Sequence, residues 1–183
     1  MSVYLYYGEN SYLLNQRTDY LVNQNVHPEW KVFNYVKLFG DEKNIAAKVF
    51  TEVMTLPFGE GNKIIHTNSD SLIGSLLNED NNQELENHFS RIPSSNILLI
   101  TGNKKPDSRK TVVKTILKYA QQEEFPLLSS WDKKGIVNLI GKYAAIHQVK
   151  LTPDVTNYLA EAIGNNTARA ANSLNLLFMQ VEK

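Results

Sequence analysis

The sequence predicts an α/β fold, a parallel sheet with helices on both faces, followed by a small three-helix domain. Three observations carry this reading. Five short strand-like runs alternate with helical stretches over the first 129 residues, and strands separated by helices build parallel sheets covered on both sides. The first run leads through a glycine-containing turn straight into an amphipathic helix. After Ser129 the strand signals stop and only helical periodicity remains.

Val3-Tyr4-Leu5-Tyr6-Tyr7 reads as the first strand, Gly8-Glu9-Asn10-Ser11 as a turn, and Tyr12 to Asn23 as a helix with Leu13, Leu14, Arg17, Tyr20 and Leu21 along one side. Trp30 through Val36 is rich in aromatic and β-branched residues and reads as the second strand. Asp41 is placed as the cap of a helix whose Ile45, Val49, Val53 and Met54 face inward. Lys63-Ile64-Ile65-His66 and Asn96 to Thr101 read as the third and fourth strands. Between them stand a short helix near Ser71–Leu77, a polar turn at Asn78–Asn82 and a helix to Phe89. Pro106 is expected to open a helix with Val112, Val113, Ile116, Leu117 and Ala120 inward, and Glu124–Leu127 to form a short fifth strand at an edge, where proline is tolerated.

The boundary is expected near Ser129-Ser130, giving units 1–129 and 130–183. In the second, Ile136, Leu139, Ile140, Tyr143 and Ala144 mark one helix. Thr152-Pro153-Asp154 supplies an N-cap and a first-position proline for a second, which ends at Gly164. Ala168, Ala171, Leu174, Leu177 and Phe178 mark a third.

Composition bounds the function. Lys+Arg and Asp+Glu are both 19, so no global field draws the chain to nucleic acid or an anionic membrane, and any basic role must be local. Absence of cysteine excludes disulfides and thiolate metal sites and fits a reducing cytoplasm, the expected location. No signal peptide or membrane-spanning run is evident. His27, His66, His88 and His147 are too scattered to suggest a metal site. His66 with Ser69 and Asp70 is read as a strand end and helix cap rather than a triad, and the tyrosines at 4, 6, 7 and 12 as packing.

The opening has the layout of a phosphate-binding loop without its chemistry. In G-x-x-x-x-G-K-[ST] the backbone N–H groups and lysine hold phosphate while the hydroxyl holds Mg²⁺. Counted from Gly8, the last three positions are Leu13, Leu14 and Asn15, and the turn carries the anion Glu9. The fourth strand ends Thr101-Gly102-Asn103, without an acidic pair to hold magnesium. The architecture resembles the core and lid of AAA+ proteins. No cofactor, no metal and no ATP hydrolysis are expected, and an unusual NTPase is the reading these residues argue against most strongly.

YLYYGEN with its following Leu-Leu helix, then TLPFGEGNKII, ILLITGNKKPDSRK and LTPDVTNYLAEAIGNN, in that order and spacing, resemble the delta subunit of the bacterial DNA polymerase III clamp loader. The likeness runs over essentially the whole chain. It implies an ATPase-like fold without ATPase chemistry, a protein that opens the ring-shaped sliding clamp, and other loader subunits as partners. Family members carry a third, helical collar domain. The chain stops at Gln180-Val181-Glu182-Lys183, where that domain would start, so the resemblance implies the first two domains alone, as a truncated piece or a shortened natural protein, and a monomer in isolation. Asn172-Ser173-Leu174-Asn175-Leu176-Leu177 departs from the N-E-L-E-K-L of relatives.

The resemblance places the clamp anchor at Leu56, Pro57 and Phe58. Leu56 and Phe58 stand beside Pro57 and Gly59 in a turn expected to be exposed, yet on the residues alone Phe58 reads as a strand-edge core side chain tucked under the sheet. Lys104, Lys105, Arg109, Lys110, Lys114 and Lys118 form the one dense basic cluster, with Asp107 among them. It reads as a solvated helix face or as a surface facing DNA phosphates. The alternative function is accordingly a degenerate P-loop regulator that binds DNA through this helix. Arg169 lies near where active AAA+ lids hold an ATP-sensing arginine, and a structural salt bridge is expected for it instead.

Overall fold

The computed structural model describes residues 2–40, 44–77, 82–129, 131–146 and 149–181. The chain divides into two compact units, Met1–Phe125 and Pro126–Lys183.

The first unit runs β1 (Val3–Tyr7), α1 (Ser11–Asn25), a 3₁₀ turn at Pro28–Trp30, α2 (Lys31–Asn34), β2 (Tyr35–Leu38), α3 (Ile45–Met54), β3 (Lys63–Asn68), α4 (Ser69–Leu76), α5 (Asn82–Ser90), β4 (Asn96–Gly102), α6 (Thr111–Tyr119) and β5 (Gln121–Glu124). All five strands pair in parallel, in the order β2-β3-β4-β1-β5. β4 lies at the centre with all seven residues buried, paired to β1 with Val3 opposite Leu98 and to β3 with Ile65 opposite Leu98.

Side-chain alternation sorts the strands into two cores. Val3, Leu5, Tyr7, Ile65, Leu98 and Ile100 meet the apolar faces of α3, α4, α5 and α6. Tyr6, Ile64, Ile97 and Leu99 face the other way, onto Leu14, Leu21, Val22 and Val26 of the α1 region and onto Phe125. This is the α/β sandwich read from the sequence, with helices on both faces. Ile45, Val49 and Val53 of α3 are buried as expected, and Met54 packs partly buried beside them.

Four expectations are corrected. Trp30 to Val36 is not one strand. Pro28 fixes the first position of a 3₁₀ turn that continues into α2, and the strand begins only at Tyr35. The β-prone residues Val32 and Phe33 are exposed on that helix, so tertiary placement overrides propensity. The fifth strand lies upstream of Glu124–Leu127, at Gln121–Glu124. Phe125 ends it by donating its N–H to the Tyr7 carbonyl at 2.8 Å, and Pro126 has no N–H to continue the ladder. α6 starts at Thr111 rather than Pro106, because Asp107 gathers the intervening residues into a turn, accepting from the Arg109 N–H at 3.1 Å. The inward stripe of α1 is Leu14, Thr18, Leu21 and Val22, whereas Tyr20 is exposed and lies under the Arg17 guanidinium. The cap expected at Asp41 and residues 78–81 of the expected polar turn lie outside the described residues.

The second unit holds α7 (Lys133–Ile146), α8 (Pro153–Ile163) and α9 (Thr167–Val181). Ile136, Ile140, Tyr143 and Ala144 of α7, Ile163 of α8, and Ala170, Ala171 and Leu174 of α9 form its buried side. Thr152 accepts from the Val155 N–H, Pro153 occupies the first helical position, and Gly164 ends α8 at φ +66°. Among the described residues no helix is long and apolar enough to cross a membrane.

Candidate functional site

The turn after β1 uses its backbone donors internally. The Gly8 N–H donates to the Gly102 carbonyl at 3.0 Å, and the Asn10 N–H to the Phe125 carbonyl at 3.0 Å. The Asn10 side chain, itself buried, caps α1 by accepting from the Leu13 N–H at 3.2 Å. The carboxyl ends of β4, β1 and β5 are thereby stitched together where a parallel sheet of this kind ordinarily opens a ligand crevice. Gly8 is required by the closeness: at φ +141°, a Cβ there would meet the Phe125 carbonyl oxygen at 2.2 Å. A phosphate-binding turn needs those N–H groups aimed outward.

The turn between α3 and β3 is the opposite case, tightly held below and apolar above. Leu56 is 74% and Phe58 57% exposed, and Pro57 lies partly buried between them. Phe58 is therefore not a core residue under the sheet. Its ring meets Trp30 edge-on at 5.0 Å and Phe33 at 5.2 Å, and both partners come from the segment around α2. With Val32 at 86% and Phe33 at 57% exposure, α2 extends the apolar surface around the turn. Gly59 stands at φ +63°, and a Cβ there would meet the Trp30 indole at 2.4 Å.

Buried polar groups fix the stem. Asn96, wholly buried, donates from Nδ2 to the carbonyls of Val53 and Thr55, both at 2.7 Å, so the last turn of α3 ends on a side chain rather than on water. Lys63, also buried, pairs with Glu52 and donates to the Thr55 hydroxyl at 2.6 Å. Asn34 reaches the turn from the end of α2 and bonds both backbone groups of Phe58. On the far side, the Asn62 N–H donates to the Asn25 carbonyl at 2.8 Å, beside an antiparallel bridge between Val26 and Gly61. The three apolar residues are legible in the sequence, whereas this polar frame is not. No local signal marks it, because Asn34 and Asn96 find their partners 24 and 43 residues away.

The basic cluster is less uniform than its sequence. Arg109 makes a two-pronged ion pair with Asp107 at 2.9 Å, and that hydrogen bonding draws the Asp107 carboxyl down to about 2. Lys118 pairs with Glu86 at 3.1 Å. Lys104, Lys105, Lys110 and Lys114 are exposed and make no ion pair among the described residues.

His66 sits in a polar chain rather than a triad. Its Nδ1 meets the Tyr35 hydroxyl and its Nε2 the Thr101 hydroxyl, each at 2.9 Å. Burial, helped by Lys37, lowers its pKa from 6.5 to about 4, and burial with Asp19 raises that of Tyr35 to about 12. Asn68 caps α4 through the N–H groups of Asp70 and Ser71. In the second unit, the Arg169 N–H donates to Asn166 Oδ1 at 2.9 Å. The salt bridge expected of Arg169 is not seen among the described residues.

Comparison with known proteins adds to this geometry. No curated protein matches the sequence. Among solved structures, the DNA clamp loader delta protein of Bacillus subtilis superposes with a TM-score of 0.78 at 18% identity, covering 99% of this chain and 54% of that one. The chain thus spans about half the length of that relative. A polymerase III gamma subunit-related protein of Thermotoga maritima gives a TM-score of 0.48 at 8% identity, covering 93% of this chain and 64% of that one. Domain III of the Thermotoga maritima replication initiation protein DnaA gives 0.46 at 15%, with 98% and 77% covered. A model of the DNA polymerase III delta subunit family matches residues 4–125, more than half of the sequence. With the five-stranded order and helices of the clamp loader delta fold, the chain belongs to the DNA polymerase III delta subunit family.

Proposed function

We propose that this chain binds a sliding clamp through the turn Leu56-Pro57-Phe58 and favours the open form of the ring without hydrolysing ATP. The observation that carries the reading is an exposed phenylalanine whose backbone is fixed by one buried side chain, that of Asn34. Such a group is already arranged to enter an apolar pocket, and anchors of this kind dominate interface energy. A binder shifts the closed–open equilibrium only through its differential affinity for the two states, so no nucleotide is needed in this chain. The internally satisfied turn after β1 and the residues Leu13, Leu14 and Asn15 support the same view. On this reading residues 1–129 are a core without working nucleotide motifs, 130–183 a lid, and the chain is a monomer in isolation. It works in the cytoplasm, and other loader subunits supply hydrolysis.

Titration calorimetry against the cognate sliding clamp tests the assignment. Wild type binds, and Phe58→Ala loses roughly 2 kcal/mol, about thirtyfold in Kd. A well-folded wild type that gives no heat with the clamp overturns the assignment.

One observation favours a second reading, DNA contact through the basic helix. Lys104, Lys105, Lys110 and Lys114 are exposed and free of ion pairs among the described residues, as phosphate contacts require. Arg109 and Lys118 are already engaged by acids. Duplex binding whose salt dependence flattens when those four lysines are changed to glutamine would support it; salt-independent or absent binding would remove it.

A further inference from the structure

One buried side chain holds the Phe58 turn from beneath. Asn34 is 0% exposed, and its carboxamide is spent wholly on a single residue 24 positions away. The Phe58 N–H donates to Oδ1 at 2.7 Å, and Nδ2 donates to the Phe58 carbonyl at 2.8 Å. Pairing both backbone groups of one residue to a rigid planar amide restricts the torsions between them. The phenyl ring is then set against Trp30 and Phe33, while more than half of the residue stays in solvent. These bonds therefore do not serve to bury the ring. They determine where an exposed ring stands.

We propose that Asn34 is a positioning residue for clamp docking: it holds Phe58 in the conformation that enters the clamp. The proposal rests on the clamp-binding reading above. A turn released from Asn34 populates that conformation only part of the time, and apparent affinity falls by the competent fraction. When the bound contacts are unchanged, the loss appears in the association rate. Removal of the anchor itself appears in the dissociation rate.

The test uses the 183-residue chain flowed over immobilised cognate clamp, with Phe58 amide exchange followed by NMR. In Asn34→Ala we expect Phe58 amide exchange to rise at least about tenfold while that of Leu98 in β4 is unchanged. The association rate should fall about tenfold with dissociation within about twofold of wild type. Phe58→Ala should raise dissociation instead. If Asn34→Ala does not fold, the isosteric Asn34→Asp decides. Its carboxylate accepts from the Phe58 N–H but repels the Phe58 carbonyl, and its association rate should recover as the pH falls and the carboxyl regains a proton to donate. A folded Asn34→Ala that associates at the wild-type rate, or whose loss lies in dissociation, overturns the proposal. So does an Asn34→Asp variant whose association rate does not respond to pH relative to wild type. A folded wild type that fails to bind the clamp fails the underlying reading, and is recognised because Phe58→Ala then has no binding to lose.

Discussion

Acid should weaken the first unit through His66 before most other groups respond. The ring is buried between β2 and β4, with one nitrogen on Tyr35 and the other on Thr101. Protonation would put a second cation near Lys37 and leave both ring nitrogens as donors. The folded pKa of about 4 lies below the ordinary 6.5, so the unfolded chain takes up the proton first. Stability is then full above about pH 6.5 and declines as the pH falls toward 4. The whole difference is worth about 3 kcal/mol, and about 2 kcal/mol of it should be lost between pH 7 and pH 5. Urea unfolding of wild type and His66→Gln at several pH values measures this, since glutamine keeps hydrogen-bonding capacity without titrating. Carboxylates contribute alike to both proteins and cancel in the difference. Stability curves that run parallel from pH 7 to pH 5 would refute the reasoning.

Further outcomes follow from the two turns. Gly8→Ala should cost at least about 3 kcal/mol in urea unfolding, because its Cβ meets the Phe125 carbonyl in a left-handed backbone region; a loss under about 1 kcal/mol would show that the β1–β5 junction yields easily. Asn96→Ala should cost about 2–4 kcal/mol, since it strips the partner from two carbonyls at the end of α3. Phe58→Ala should leave thermal stability nearly intact, within about 1 kcal/mol, because the residue is more than half exposed.

Much of the fold was legible because its signals are local. The apolar run Ile97–Ile100, the Gly8 turn and the Thr152-Pro153 cap each carry their structure within a few residues, and all three stand as read. The failures are tertiary. Trp30, Val32 and Phe33 have strand composition, but they lie on a 3₁₀ turn and a helix, where Trp30 and Phe33 pack against Phe58 and Val32 is exposed. Gln121–Glu124 has no apolar residue at all and is a strand only because β1 offers it an edge. At the candidate site, Pro57 and Gly59 told that the apolar pair beside them lies in a turn. Asn34, Lys63 and Asn96 are ordinary polar letters whose role appears only when chain segments as far as 43 residues apart meet. The basic cluster shows the same limit, since the partner of Lys118 lies 32 residues upstream on α5.

Clamp opening without nucleotide tests the proposed function most directly. A sliding clamp labelled with a fluorophore pair across one subunit interface would be mixed with this chain in the absence of ATP and magnesium. Energy transfer should fall to a level that saturates with the chain, with the titration moved about thirtyfold to higher concentration by Phe58→Ala and unchanged when ATP is added. Binding that leaves the interface closed, or opening that appears only with ATP, would contradict it.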